Sequence, residues 1–259
     1  MLDLDNSELD QTIKDALEKG RAITLRSYMI RVSGEEKLEK ILQALLVHFD
    51  RRELSGPIHA AIRELVQNAS KANLKRVVFN ELGVNPYIEE EYQRGMDTFR
   101  RYLIKRQLVR YRHKIVEKDF HFNVRFKFND RVMFITVSNR FPLHPTEDRR
   151  IRERFTHAQA LDNLYDFYMN YGDTTEGAGM GIAMVELLLS QAGIHRHNFT
   201  IFTDHKENAT VARMIIPLAS DYITPRDQFE AERQRRDISA ADLRYLIQQG
   251  EWDINWMGE

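Results

Sequence analysis

Residues 64–73 read ELVQNASKAN, after an apolar lead-in from Pro57 (PIHAAIR), and the fold turns on this stretch. In helical geometry Glu64, Asn68 and Lys71 fall at i, i+4 and i+7, so a carboxylate, an amide and an ammonium share one face. Ile58, Ala61, Ile62, Leu65 and Ala69 form an apolar stripe on the other side. A polar face of this kind can hold a hydrated magnesium ion and steady phosphate oxygens. The same spacing also suits a solvated amphipathic helix. Pro57 fits the first turn of such a helix because it has no N–H to leave unpaired there. The helix is expected over roughly 57–73.

A second stretch, GAGMGIAM at 177–184, opens an apolar run that continues to Leu189. Alternating glycines let backbone N–H groups approach phosphates closely, and the start of the following helix adds partial positive charge. The preceding DTTE at 173–176 keeps the loop polar. A tight glycine turn at a helix start is the plainer alternative. No strand is expected before these glycines, which argues against a dinucleotide-binding fingerprint.

Working outward, residues 5–20 read as a helix capped at Gly20 and Ala22–Val32 as a strand. A helix follows to about Phe49, carrying Leu38, Ile41, Leu42, Leu45 and Leu46 at helical spacing. Lys75–Asn80 (KRVVFN) reads as a strand, and 87–117 as one long helix serving as an insertion or packing arm. Phe120–Phe128 and Val132–Ser138 alternate cleanly around Asn129-Asp130, which predicts a hairpin. Residues 147–170 read as mainly helical, Tyr171–Gly181 as a loop and Gly181–Gln191 as a helix packed on all sides. Strands are expected at Asn198–Thr203 and Ala209–Pro217, then a charged helical tail with Trp252 and Trp256. Helices segregated from an antiparallel-rich sheet give an α+β, two-layer architecture.

Composition narrows the function. A formal charge of −1 gives no global attraction to nucleic acid or membrane. The absence of cysteine excludes disulfides, thiolate metal sites and cysteine nucleophiles together. No run approaches the roughly 18–20 apolar residues of a membrane helix. The opening MLDLDNSELDQ is acidic and has no secretory pattern, so a cytoplasmic location is expected.

ELVQNASKAN resembles the N box of the GHKL superfamily, and GAGMGIAMVELLLSQAG its second glycine box in the histidine-kinase form. NATVARMIIPL, with Thr210 and Pro217, resembles the closing strand of the same domain, with Ala209 in place of its glycine. The three motifs stand in family order over about residues 57–218. The resemblance implies a Bergerat-type ATP-binding sandwich, with a mostly antiparallel mixed sheet and helices on one face. It divides the chain into an accessory segment at 1–54, an ATP-binding domain at 55–220 with a helical insertion at 86–118, and a charged helical tail at 221–259.

By the same resemblance Asn68 coordinates magnesium, Glu64 stands where hydrolysing members keep a general base, and Lys71 contacts phosphate. Gly177, Gly179, Met180 and Gly181 wrap the triphosphate, residues 145–176 form a lid, and Thr210 lines the adenine pocket. The first glycine box departs from the family pattern. Where D-x-G-x-G is expected the chain reads VSNRFPL at 137–143, so Asn139 replaces the aspartate that receives the adenine amine. An asparagine oxygen can still accept that hydrogen bond, though without charge assistance.

The implied activity is binding of ATP with magnesium, followed by hydrolysis or transfer of the γ-phosphate to a partner such as a response regulator or another phosphoacceptor. A phosphoacceptor histidine within the chain is not supported. His48 lies too close to the N box for a two-helix hairpin to intervene, and His59 falls in the N-box helix itself. The alternative is a catalytically degenerate Bergerat fold serving as a protein-binding adaptor. Arg100–Lys118 holds eight Lys/Arg against one Glu. Its stripe of Arg106, Arg110, Lys114 and Lys118 could meet nucleic-acid phosphates or an acidic partner, or be a solvated face balanced by nearby acids. The first 50 residues and the tail are each a candidate homodimer interface.

Overall fold

In the computed structural model, residues 5–104, 108–159 and 180–258 are described. The chain starts with α1 (Asn6–Lys19), opened by a reciprocal cap between Asp5 and Glu8 and closed at Gly20 in the left-handed region, φ 59°. β1 (Ile23–Ser27) and α2 (Val32–His48) follow, then the long α3 (Ser55–Glu81). The strand expected at Ala22–Val32 is thus shorter, and Val32 already belongs to α2.

The expected strand at Lys75–Asn80 is corrected, because α3 runs straight through it. Val77, Val78 and Phe79 favour strands in isolation, but Leu74, Val77 and Val78 sit at helical spacing and are wholly buried there. They pack with Val84, Tyr92, Met96, Phe99 and Ile115 in a separate apolar cluster. Tertiary burial outweighs a propensity difference of under about 1 kcal/mol per residue. The arm expected at 87–117 is described as α4 (Glu89–Ile104) and α5 (Leu108–Glu117), on either side of residues 105–107.

β2 (Phe122–Phe128) and β3 (Val132–Asn139) form the expected hairpin, with Asn129 Oδ1 accepting from the N–H groups of Arg131 and Val132 at 3.0 Å each. Next come α6 (Pro145–Gln159), α7 (Met180–Gln191), β4 (Phe199–Asp204) and β5 (Ala209–Pro217). The sheet runs β1-β2-β3-β5-β4 and is antiparallel at every pairing, not mixed. The molecule is therefore α+β. Residues 5–54 are integral to it, since β1 is an edge strand and α1 and α2 share the main core.

One face of the sheet carries that core. Phe122, Val124, Phe126, Met133, Ile135, Val137, Met214 and Ile216 meet Leu42, Leu45, Ile58, Ile62, Val66, Val185 and Leu189 from α2, α3 and α7. The opposite face is covered at one place by the tail, which includes α8 (Pro225–Arg236) and α9 (Ala240–Gln248). There Val132, Phe134 and Ile215 pack with Tyr222 and Met257, and the Arg213 guanidinium lies 4.4 Å from the Trp256 ring centroid.

Candidate functional site

The polar stripe of α3 extends one turn beyond the N-box pattern. Glu64, Asn68, Lys71 and Lys75 stand at i, i+4, i+7 and i+11, so they line one edge of the helix over its middle turns. Side chains on other faces hold this edge in place. Ser70 Oγ accepts from the Ile30 N–H (3.1 Å) and Asn73 Nδ2 donates to the Tyr28 carbonyl (3.1 Å), which fixes α3 to the chain leaving β1.

Below the stripe, β3 ends at Asn139, directly opposite Thr210 of β5. Asn139 is buried, and its Nδ2 donates to the Ala69 carbonyl (3.0 Å) and to Asn73 Oδ1 (2.7 Å). Both amide hydrogens are therefore spent inside the protein, leaving Oδ1 to accept. Thr210 Oγ1 donates to the Phe141 carbonyl (2.8 Å), Arg76 to the Pro142 carbonyl (3.0 Å), and the Leu143 N–H to Thr203 Oγ1 (3.2 Å). Residues 139–143 are thus hydrogen-bonded along their length.

Gly181, in the first turn of α7, meets Glu64 across the helix pair. A β-carbon at 181 would lie 1.7 Å from Glu64 Oε1 and 2.6 Å from its Cγ. Helix α3 and the start of α7 thus touch at Gly181, where an added β-carbon would require the Glu64 carboxylate to move.

These elements enclose a cavity of about 500 Å³. Glu64, Asn68, Lys71, Asn139, Gly181 and Thr210, all singled out from sequence, line it together. Met180 begins α7, while Gly177 and Gly179 lie outside the described residues. The apolar lining comes from Ala69, Ala72, Val137, Ile201 and Ala212 together with Ile182 and Met184. Two other hollows, of about 360 and 530 Å³, are lined only by residues of α1, α2 and their ends, with none of the motif residues.

Sequence reasoning missed the far end of the cavity, where Lys75, Tyr92, Met96, Phe99, Glu147 and Arg150 contribute. Glu147 is paired with Lys75 and with Arg76 (3.0 Å), and its Oε2 accepts from the His144 N–H (3.0 Å). Burial alone would raise its pKa, but the two cations override it and hold the carboxyl at about 2. Arg150 donates to the Tyr92 hydroxyl (3.3 Å) with its guanidinium 5.0 Å from that ring's centroid. Tyr92, Met96 and Phe99 recur at i, i+4, i+7, a signal present in the sequence but legible only as packing. Among the described residues neither Lys71 nor Arg150 has a carboxylate partner, and Glu64, in the same lining, has no cation partner.

Among the described residues no cluster of three or more His, Asp or Glu side chains could hold a metal ion by itself. Glu64 and Asn68 offer oxygens one turn apart, so a divalent cation held here would draw its other ligands from phosphates and water. His48 lies exposed at the end of α2, and the Lys114 ammonium of the basic arm is paired with Glu81.

Among the described residues no helix is long and apolar enough to cross a membrane. Comparison with known proteins finds no matching family model and no matching solved structure. The chain is similar to an uncharacterized protein of Treponema pallidum (strain Nichols), 23% identical over 207 residues, which is 80% of this chain. It spans 40% of that relative's length, so what the two share is a portion of a longer protein.

Proposed function

We propose that the chain is a Bergerat-type ATP-binding domain that takes Mg-ATP in the cavity between α3, the sheet and α7. The observation that carries this reading is convergence. Glu64, Asn68 and Lys71, then Asn139, Gly181 and Thr210, are scattered through the sequence yet line one cavity. A chance resemblance of short motifs gives no reason for them to meet.

The chemistry of each group suits a nucleotide. Asn139 Oδ1, with both amide hydrogens engaged, can only accept, so it favours the exocyclic amine of adenine and disfavours the carbonyl of guanine. Ala69, Ala72, Val137 and Ala212 offer apolar surface for a flat ring. Lys71, which has no carboxylate partner among the described residues, would contact phosphate. Asn68, with Glu64 beside it, would hold the magnesium ion, whose chemistry is to offset phosphate charge. Glu64 is placed to take a proton from an attacking water. The γ-phosphate then goes to water, or to a protein phosphoacceptor supplied by a partner such as a response regulator.

Calorimetry of Mg-ATP and Mg-ADP binding to the wild type, Asn68→Ala and Lys71→Ala tests this reading. Micromolar to submillimolar affinity that falls at least roughly tenfold in both variants supports it. Absence of nucleotide binding to the folded wild type overturns it. The adaptor reading draws on a different observation, the hydrogen-bonded segment from Asn139 to Leu143 in place of a glycine box. It predicts a folded protein with no nucleotide affinity at all.

A further inference from the structure

We propose that α4 is the specificity wall of the cavity: Met96 and Phe99, backed by a fixed Tyr92, limit what a bound purine can carry on its exocyclic amine. The proposal rests on the nucleotide reading and adds the element that selects the base. Its starting point is the direction of the cavity along α3. Asn139 is bonded at the level of Ala69 and Asn73, whereas Gly181 meets Glu64, nearer the start of α3. Asn68 and Lys75 are separated by seven residues, about 10 Å of helix rise.

A nucleotide with its phosphates toward Glu64, Asn68 and Gly181 and its amine at Asn139 therefore points away from α7. In a purine the edge bearing the exocyclic amine is opposite the edge that bears the ribose. That edge faces the Lys75 end of the cavity, which Tyr92, Met96 and Phe99 line as they pack against Leu74 and Val78 of α3.

The wall is built to stay in place. Tyr92 meets the Phe79 ring edge-on at 5.6 Å, stacks with His144 at 6.0 Å, and carries the Arg150 guanidinium over it at 5.0 Å. Gly95 lets Phe79 press against the backbone of α4, since a β-carbon at 95 would lie 2.6 Å from Phe79 Cε1. Met96 and Phe99 are 9% and 6% exposed, so they are packed and have little freedom to swing aside. A bulky substituent on the amine would overlap them, and overpacking of that kind is costly.

The test uses the whole chain, with ADP and an ADP benzylated on its exocyclic amine as probes, read by calorimetry in the presence of magnesium. Wild type is expected to bind the benzylated probe at least roughly tenfold more weakly than ADP. In Met96→Ala and Phe99→Ala, checked for folding by circular dichroism, that gap should shrink by about tenfold. If Phe99→Ala does not fold, Met96→Ala carries the comparison. Equal binding of the two probes by wild type, or an unchanged gap in the folded variants, overturns the wall while leaving the nucleotide site standing. Failure of wild type to bind ADP at all overturns both.

Discussion

The carboxylate of Glu64 occupies the space that a β-carbon on residue 181 would need, with Oε1 1.7 Å from that point. Gly181→Ala must therefore displace Glu64 or separate α3 from α7. The obstructing atoms are the far end of a flexible side chain, so the stability cost is expected to be small, at most about 1 kcal/mol. The expected outcome is that loss in urea unfolding, together with at least a roughly tenfold loss of any ATP turnover. In a Glu64→Ala background the same glycine substitution should cost much less stability, because the obstructing side chain is gone. A double-mutant cycle reads the coupling directly, and additive losses would contradict it.

The surroundings of Asn139 call for an amide. Nδ2 faces two acceptors, Ala69 O and Asn73 Oδ1. Asn139→Asp would set a carboxylate oxygen against both, at an expected cost of about 3 kcal/mol in equilibrium unfolding at neutral pH. A variant as stable as wild type would show that this network contributes nothing.

Glu147 gives a pH dependence whose sign is fixed. Its carboxyl is held at about 2 by Lys75 and Arg76, below its ordinary 4.5. The folded state therefore gains stability that is fully present above pH 4.5 and is lost as pH falls toward 2. Glu147→Gln should cost about 3 kcal/mol at pH 7, leaving two half-buried cations without their anion. The difference from wild type should narrow in urea titrations at pH 3.

Glu186, on α7, behaves in the opposite sense. It is 5% exposed, Oε2 has no hydrogen-bond partner among the described residues, and burial pushes its pKa up to about 7, against a smaller lowering by Arg196. The folded state binds the proton more tightly than the unfolded one, so stability is lost as pH rises from 4.5 through 7. Glu186→Gln should remove that slope and stabilise the protein at pH 8 by at most about 3 kcal/mol. Thermal unfolding at pH 5 and pH 8 measures it.

Gly95→Ala tests how α4 is seated. The added carbon would lie 2.6 Å from the Phe79 ring, so α4 has to shift. A loss of about 1–3 kcal/mol is expected, with recovery when Phe79→Leu is combined with it. No loss in the single variant would mean that the helix is not pressed against α3.

Much of the site was legible because it depends on local spacing. Glu64, Asn68 and Lys71 share a face by helical periodicity alone, and the β2–β3 hairpin follows from alternation around Asn129. What escaped is set by partners distant in sequence. Lys75–Asn80 has the composition of a strand, and only burial against Tyr92, Met96, Phe99 and Ile115 makes it helix. Glu147 carries no local signal in the sequence, since only folding places it against Lys75 and Arg76. Asn139 read as an altered motif, whereas its partners Ala69 and Asn73, about 70 residues earlier, make it a structural tie.

The strand order has a consequence for how the molecule comes into being. β3 lies between β2, its hairpin partner, and β5, which pairs Val132 with Pro217 and Asn139 with Thr210. During synthesis α3, α4 and α5 can gather their own apolar cluster early, from neighbours close along the chain. One side of β3, and with it the floor of the cavity, stays open until residues 209–217 leave the ribosome. An arrest of translation between β3 and β5 would release a chain with its apolar inner face uncovered and a bare strand edge, a natural substrate for chaperones.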